Sequence, residues 1–111
     1  MPAPPERDLA LIQRFCDEQV PDHVRDKKRI EMTRRGMSVT IWECDAPHVM
    51  HTDDWFRVPV AKLKYDDEYR TWTLHWSDRN SRFHRYESTK PGNVETLLRE
   101  IDDDPTGIFW G

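Results

Sequence analysis

Residues 72–86, WTLHWSDRNSRFHRY, decide the fold of this chain because two kinds of side chain alternate strictly on either side of a polar turn. The turn residues 79–81 (RNS) place Trp76 opposite His84 in a three-residue hairpin loop. Neighbouring residues of a strand point to opposite faces of a sheet, so the two tryptophans share one face and His75 lies on the other. We therefore predict a β-hairpin whose indole rings belong to a core.

The same alternation continues upstream through a polar turn at 66–70. It predicts three consecutive strands over about 56–65, 71–77 and 82–87, and Pro59 in the first of them indicates a sheet edge or a bulge. The predicted inward face holds Ala61, Leu63, Tyr65, Trp72, Leu74, Trp76, His84 and Tyr86. The predicted outward face holds Val60, Lys62, Lys64, Thr73, His75, Ser77, Phe83, Arg85 and Glu87. A slip of one residue would mix the two faces.

A second hairpin is predicted upstream, with strands over 29–34 and 37–44. Its two-residue turn is expected at residues 35–36 (RG), because glycine supplies the positive φ that a tight turn needs. In this register Met32 lies opposite Val39, and apolar groups of both strands share one side. The other side is predicted to hold Arg29, Glu31, Thr33, Ser38, Thr40 and Trp42.

Helices are predicted at both ends of the chain, over 6–19 and 93–103, the second with Asn93 as its N-cap. The apolar stripes are Leu9, Ile12, Phe15, Cys16 and Gln19 in the first helix, and Val94, Leu97, Leu98 and Ile101 in the second. We expect the apolar end, 108–110, to pack against the sheet or a helix. The prediction is one α+β domain over 1–111: a five-stranded antiparallel sheet (hairpin plus three-strand meander) flanked by two helices, in the order α-β-β-β-β-β-α.

The amino-acid composition limits the classes of protein to which this chain can belong. Aromatic residues make up 11% of the 111 residues, which argues against disorder because disordered chains lack large apolar side chains. No apolar run approaches the roughly 18 residues of a membrane span, and the N-terminal stretch lacks the features of a secretory signal. A net charge of −4 gives no overall attraction to nucleic acid or to anionic lipid. With only Cys16 and Cys44 as cysteines, we expect a cytoplasmic protein with reduced thiols and no membrane partner.

One loop gathers metal-ligand residue types, namely Cys44, His48, His51, Asp53 and Asp54. Cysteine, histidine and carboxylate all bind zinc. The C-x3-H-x2-H spacing is not a standard zinc pattern, however, and no partner CxxC or HxxxH occurs elsewhere. We therefore assign no metal ligand, and keep a zinc-assisted function of this loop as a weaker hypothesis.

Signals of catalysis are also weak. The chain has no GxSxG motif, and its four glycines allow neither GxGxxG nor a P-loop. Cys16 lies on the apolar stripe of the first helix and is interpreted as core packing. A two-residue turn at 79–80 would bring His75 beside His84, with Asp78 nearby, in an arrangement suited to acid–base chemistry. The preferred three-residue turn separates the two rings, so we predict no catalytic residue and no cofactor.

The outward sheet face is the candidate site. The residues predicted to bind a ligand there are Trp42, Lys62, Lys64, His75, Phe83 and Arg85. An open polar face carrying aromatic rings suits an interface, so we expect a non-catalytic binding or accessory module that uses this face for a protein partner or for self-association. Cations beside exposed rings also suit single-stranded nucleic acid, which we keep as the alternative partner.

Three stretches together resemble the domain-of-unknown-function family 3024, small and mostly actinobacterial proteins: PVAKLKYD (59–66), WTLHWSDRNSRFHRY (72–86) and DPTGIFWG (104–111). The resemblance runs from the N-terminal helix to the last residue and implies no activity, cofactor or catalytic residue. In that family the hairpin turn usually reads DRNG, whereas residues 78–81 of this chain read DRNS. The family's glycine indicates a positive φ at this position, which Ser81 occupies here. The loop 45–54 matches no pattern of the family.

Overall fold

The computed structural model describes residues 3–47 and 55–111. Along the chain it has helix α1 (Glu6–Glu18), a short 3-10 helix (Asp22–Val24), strands β1 (Lys28–Arg35), β2 (Ser38–Asp45), β3 (Phe56–Asp66), β4 (Thr71–Ser77) and β5 (Phe83–Arg85), and helix α2 (Val94–Asp103). The strands form one antiparallel sheet in the order β1-β2-β3-β4-β5. The predicted α+β fold and its element order are confirmed.

The register of the β4–β5 hairpin is the predicted one. Trp76 lies opposite His84, and the Tyr86 amide donates to the Leu74 carbonyl at 2.9 Å. Ser81 closes the three-residue loop at φ 62°, the left-handed conformation that a glycine would adopt without strain. The alternative two-residue turn, with its side-by-side histidines, is therefore wrong.

The register predicted for the first hairpin is wrong by two residues. Arg35 pairs with Ser38 and Met32 pairs with Ile41, so the turn residues are Gly36 and Met37. Gly36 has a φ of 60° and occupies the first central position of the turn. A type II′ turn requires a positive φ at this position. The predicted turn at 35–36 would have placed Arg35 there instead. A shift of two residues preserves the side-chain faces, so the predicted division into inner and outer residues survives.

The predicted outward position of Val60 is wrong, because β3 contains a β-bulge at this residue. Ile41 pairs with Ala61 but Trp42 pairs with Pro59, which leaves Val60 as the extra residue. Val60 is 3% exposed and belongs to the hydrophobic core, not to the outward face. Pro59 thus marks a bulge within a central strand rather than a sheet edge.

One hydrophobic core joins both helices to one face of the sheet. The residues of α1 in it are Ile12 and Cys16, those of α2 are Val94, Leu97, Leu98 and Ile101, and those of the strands include Ile41, Leu63, Trp72 and Leu74. Each fully buried aliphatic side chain contributes about 1.5–3 kcal/mol relative to exposure. Both helices therefore cover the same face. No helix among the described residues is long and apolar enough to cross a membrane.

The apolar C-terminus is held against the core, as expected. The Asp104 carboxylate accepts hydrogen bonds from the amides of Phe109 (3.0 Å) and Trp110 (2.9 Å). The Trp110 indole donates to the Ile101 carbonyl at 2.9 Å, and the Phe109 ring lies 5.0 Å from that of Tyr86. These contacts bury Phe109 and remove an otherwise exposed apolar end.

Candidate binding face

The sheet face opposite the helices carries alternating cations and rings, and we call it the basic–aromatic face. It contains the six predicted residues Trp42, Lys62, Lys64, His75, Phe83 and Arg85, together with Arg29, Trp55 and Arg57. The register brings Lys62, His75 and Arg85 together as direct cross-strand neighbours. Trp42 lies apart from them, beside the bulge.

Two residues of this face, Trp55 and Arg57, were not predicted from the sequence pattern. Strict alternation from Lys62 would have turned Arg57 inward. The bulge inserts one residue, so the odd-numbered positions before it face outward: Arg57 pairs with Cys44 on the outer face and its guanidinium lies over Trp42. Pro59 was the available signal, because proline in a central strand requires a bulge.

Each of three aromatic rings on the face lies under a cation. The Arg29 guanidinium carbon is 4.2 Å from the centre of the Trp55 ring, the Arg57 guanidinium carbon is 4.2 Å from that of Trp42, and the Lys62 ammonium is 4.7 Å from that of Phe83. Such a contact contributes about 0.5–1 kcal/mol at an exposed site. The indole of Trp42 is further fixed by donating to Thr33 Oγ1 at 2.8 Å. These contacts therefore favour the positions that the cations occupy over the rings before any partner binds.

The charge of this face is opposite to that of the chain. The outward strand positions add one cation, Arg35, to Arg29, Arg57, Lys62, Lys64 and Arg85, and they carry two carboxylates, Glu31 and Asp66. The whole chain has a net charge of −4, so the acidic side chains lie mainly elsewhere. Positive charge concentrated on one face attracts an anionic partner locally even when the net charge is negative.

His75 lies half-buried in the middle of these cations. Burial is the largest cause, and together with the charges of Lys64, Arg85 and Lys62 it lowers the pKa of His75 from 6.5 to about 4. Its Nε2 is 3.0 Å from Thr73 Oγ1. The imidazole is therefore neutral at neutral pH and adds a polar group without a charge.

His84 lies on the opposite, helix-side face and has a structural partner. Its Nε2 is 2.7 Å from Asp78 Oδ2, and its ring stacks on Trp76 with centroids 4.7 Å apart. The hydrogen bond from His84 lowers the pKa of Asp78, and amide donors from Arg82 and Asn80 act in the same direction. Asp78 thereby organises the hairpin loop.

The described cysteines are poor nucleophiles. Cys16 lines a groove between α1 and β1 with Gln13, Arg25 and Glu31. Burial raises the pKa of Cys16 to about 12 and also raises the pKa of Cys44. Because the thiolate is the reactive form, neither thiol is activated at neutral pH.

The predicted metal-ligand loop lies mostly outside the described residues. Cys44 is described, whereas His48, His51, Asp53 and Asp54 are not. Over residues 3–47 and 55–111, no group of three or more histidine, cysteine or acidic side chains is arranged to hold a metal ion.

Comparison with known proteins gives a match to one family. The whole chain, residues 1–111, matches the family described as "Domain of unknown function (DUF3024)". No curated protein and no solved structure matches the chain. The family match confirms the resemblance seen in the sequence and assigns no activity.

Proposed function

Because this chain belongs to the family described as "Domain of unknown function (DUF3024)" over its whole length, we propose its function from the geometry of its surface. It is a non-catalytic binding module whose basic–aromatic face binds an acidic surface of a protein partner. The observation that carries this proposal is the set of three cation-over-ring pairs on one sheet face, Arg29 on Trp55, Arg57 on Trp42 and Lys62 on Phe83.

Cationic side chains that pack on aromatic rings favour carboxylate partners for two reasons. The planar fork of an arginine can bind both oxygens of a carboxylate at once. A side chain that already favours one position over its ring loses less conformational entropy when the partner binds. The rings around the cations supply apolar contact area, as aromatic residues do at protein interfaces.

Charge disfavours the homodimer form of this proposal. Two copies related by a two-fold axis would bring the same surface of each copy together. Arg57 and Arg85 would then face the like-charged residues of the other copy, and like charges across an interface repel. A different protein with an acidic surface fits the face better.

Single-stranded nucleic acid is the second candidate, supported by the interleaving of rings and cations. Phosphates would contact Lys62 and Lys64 while bases stacked on Trp42 or Phe83. Stacking would first require the Arg57 and Lys62 side chains to leave the rings that they cover, so we rank this candidate below the acidic protein.

The test compares two labelled polyanions by fluorescence anisotropy at low salt: poly-L-glutamate and a short single-stranded oligothymidylate. We expect poly-L-glutamate to bind more tightly, with an affinity that falls as salt screens the charges. The triple variant Arg57→Gln, Lys62→Gln, Lys64→Gln should lose this binding. Tighter oligothymidylate binding would favour the nucleic-acid candidate, and flat anisotropy with both probes would contradict both.

The matched control changes the net charge equally but away from the face. The variant Arg14→Gln, Lys90→Gln, Arg99→Gln removes three exposed cations that lie outside the sheet. It should bind poly-L-glutamate as the wild type does. An equal loss in both triple variants would mean that net charge, not the face, governs binding.

We also propose that the protein works in the cytoplasm. Its two cysteines are free thiols, as a reducing compartment maintains them. Fractionation of cells that express the protein would check this, with a reporter of known compartment as the control; recovery with an extracytoplasmic reporter would contradict it.

A further inference from the structure

A row of nitrogen-bearing side chains crosses three strands at one end of the basic–aromatic face. Lys62 of β3 lies directly opposite His75 of β4, which lies directly opposite Arg85 of β5. Directly opposite residues of an antiparallel sheet are about 5 Å apart at Cβ. Lys64, two residues along β3, lies on the same face and is near enough to His75 to act on its charge state. The three cations therefore surround one small area.

One donor in this area is buried and has no partner. The Nε atom of Arg85 is shielded from solvent and makes no hydrogen bond with any described residue. An arginine cannot release its proton, so this N–H is always a donor, and a buried donor without an acceptor is costly. A turn of the Arg85 guanidinium toward the open face would present this N–H to an acceptor on a bound ligand.

We propose that Lys62, Lys64 and Arg85 form a subsite for the phosphoryl group of a phosphorylated protein segment, with His75 between Lys62 and Arg85 on the sheet. This inference rests on the proposed function, because it names the chemistry that one part of the same face recognises. A phosphoryl group has three acceptor oxygens and up to two negative charges. It therefore matches three separate cationic donors better than a carboxylate with two oxygens does.

The neighbouring residues favour a protein over other carriers of phosphate. Lys62 also covers the Phe83 ring, which leaves that ring poorly placed to stack a base. The subsite lies on an open sheet face, where a free phosphate ion would keep much of its hydration. Arg29 and Arg57 extend the positive charge along the same face, as a longer acidic segment around the phosphoryl group would require.

His75 reports on the subsite directly. Burial and the surrounding cations hold its pKa at about 4. An anion bound among Lys62, Lys64 and Arg85 would offset these charges and stabilise the imidazolium, so the pKa of His75 should rise. His84, on the other face of the sheet, gives an internal reference signal.

The experiment uses two synthetic acidic peptides that differ only in one central phosphoserine or serine, titrated into the full chain and followed by NMR of the imidazole and arginine Nε–H signals. We expect the phosphorylated peptide to bind about tenfold more tightly. It should also raise the pKa of His75 and shift the Arg85 Nε–H signal. The variants Lys64→Gln and Arg85→Lys should remove the difference between the peptides, and Lys90→Gln should preserve it.

The outcomes separate this inference from the proposed function. Equal binding of both peptides would overturn the phosphoryl subsite and leave the acidic-partner proposal standing, whereas binding of neither would overturn both. Two further arms test other sources of phosphate. If inorganic phosphate alone, or an oligothymidylate, reproduces the His75 and Arg85 changes at the concentration of the phosphopeptide, the protein source of the phosphoryl group is wrong.

Discussion

At the scale of single residues, Trp72 links three parts of the molecule. Its side chain is 1% exposed, its ring lies 5.1 Å from that of Tyr65, and its indole N–H donates to Asp8 Oδ2 at 2.8 Å. Its backbone also exchanges hydrogen bonds with Gly92, just before α2. A tryptophan can be buried this deeply because its one polar atom finds an acceptor on α1.

Removing that acceptor should destabilise the fold. Asp8→Ala leaves the buried indole N–H of Trp72 without a partner, so the free energy of unfolding should fall by about 1–3 kcal/mol in urea denaturation. Gln13→Ala on the exposed side of the same helix is the control and should change it little. If Asp8→Ala and the wild type have the same free energy of unfolding, a water molecule replaces the carboxylate as the acceptor for the Trp72 indole.

His75 should make the stability of the protein depend on pH in the acidic range. Its pKa is about 4 in the folded chain against an ordinary 6.5, so between these values the unfolded chain binds more protons. Stability should therefore fall as the pH drops from 6.5 to 4. His75→Gln should flatten this part of the curve of unfolding free energy against pH, and His23→Gln, which removes an exposed imidazole, is the control. An unchanged slope in His75→Gln would contradict the assignment.

At the scale of elements, the β4–β5 hairpin illustrates how local sequence fixes a register. Asp78 accepts from the amides of Asn80 (2.8 Å) and Arg82 (3.0 Å), which closes the loop. The strands on either side must place Trp76 toward the core, so the loop length and the alternation agree on one pairing. Ser81 is the exception, since its φ of 62° suits glycine.

Ser81→Gly should therefore stabilise the hairpin. Relief of the left-handed strain outweighs the extra freedom of glycine in the unfolded chain, and we expect a gain of about 0.5–1 kcal/mol in thermal or urea unfolding. The same change at Ser38, in the extended backbone of β2, should instead lower stability. A loss of stability in Ser81→Gly would show that the Ser81 side chain itself supports the loop.

Prediction was less complete for the first hairpin and for β3. The glycine of the first turn was recognised but its place within the turn was not, and Met32 was therefore paired with the wrong residue of β2. Pro59 indicated a bulge or an edge without choosing between them. The choice at Pro59 depends on which strands lie alongside β3, and that information is not local. The place of the turn has a local cause, because the positive φ at its first central position requires the glycine there.

At the scale of the whole molecule, charge and packing are arranged on separate sides. The helices and the core occupy one side of the sheet, and the basic–aromatic face occupies the other. The acidic end of α2, with Glu100, Asp102 and Asp103, lies away from that face. The molecule is therefore electrically asymmetric in a way that its net charge of −4 conceals.

This asymmetry predicts that the protein does not pair face to face. Light scattering after size exclusion should give a monomer at low ionic strength, where repulsion between two basic faces is greatest. The variant Trp42→Ala, Phe83→Ala should elute in the same way. A wild-type dimer at low salt that this variant abolishes would instead support self-association through the face.

The sequence by itself determined the helices, the strands and the side of the sheet on which most residues lie, because these follow from periodicity and turn chemistry within short stretches. It thereby placed Trp42, Lys62, Lys64, His75, Phe83 and Arg85 on one face. Only the tertiary structure decided the bulge at Val60, since a bulge is defined by what the neighbouring strand pairs with. One inserted residue reverses the alternation, and this reversal brings Trp55 and Arg57 to the basic–aromatic face.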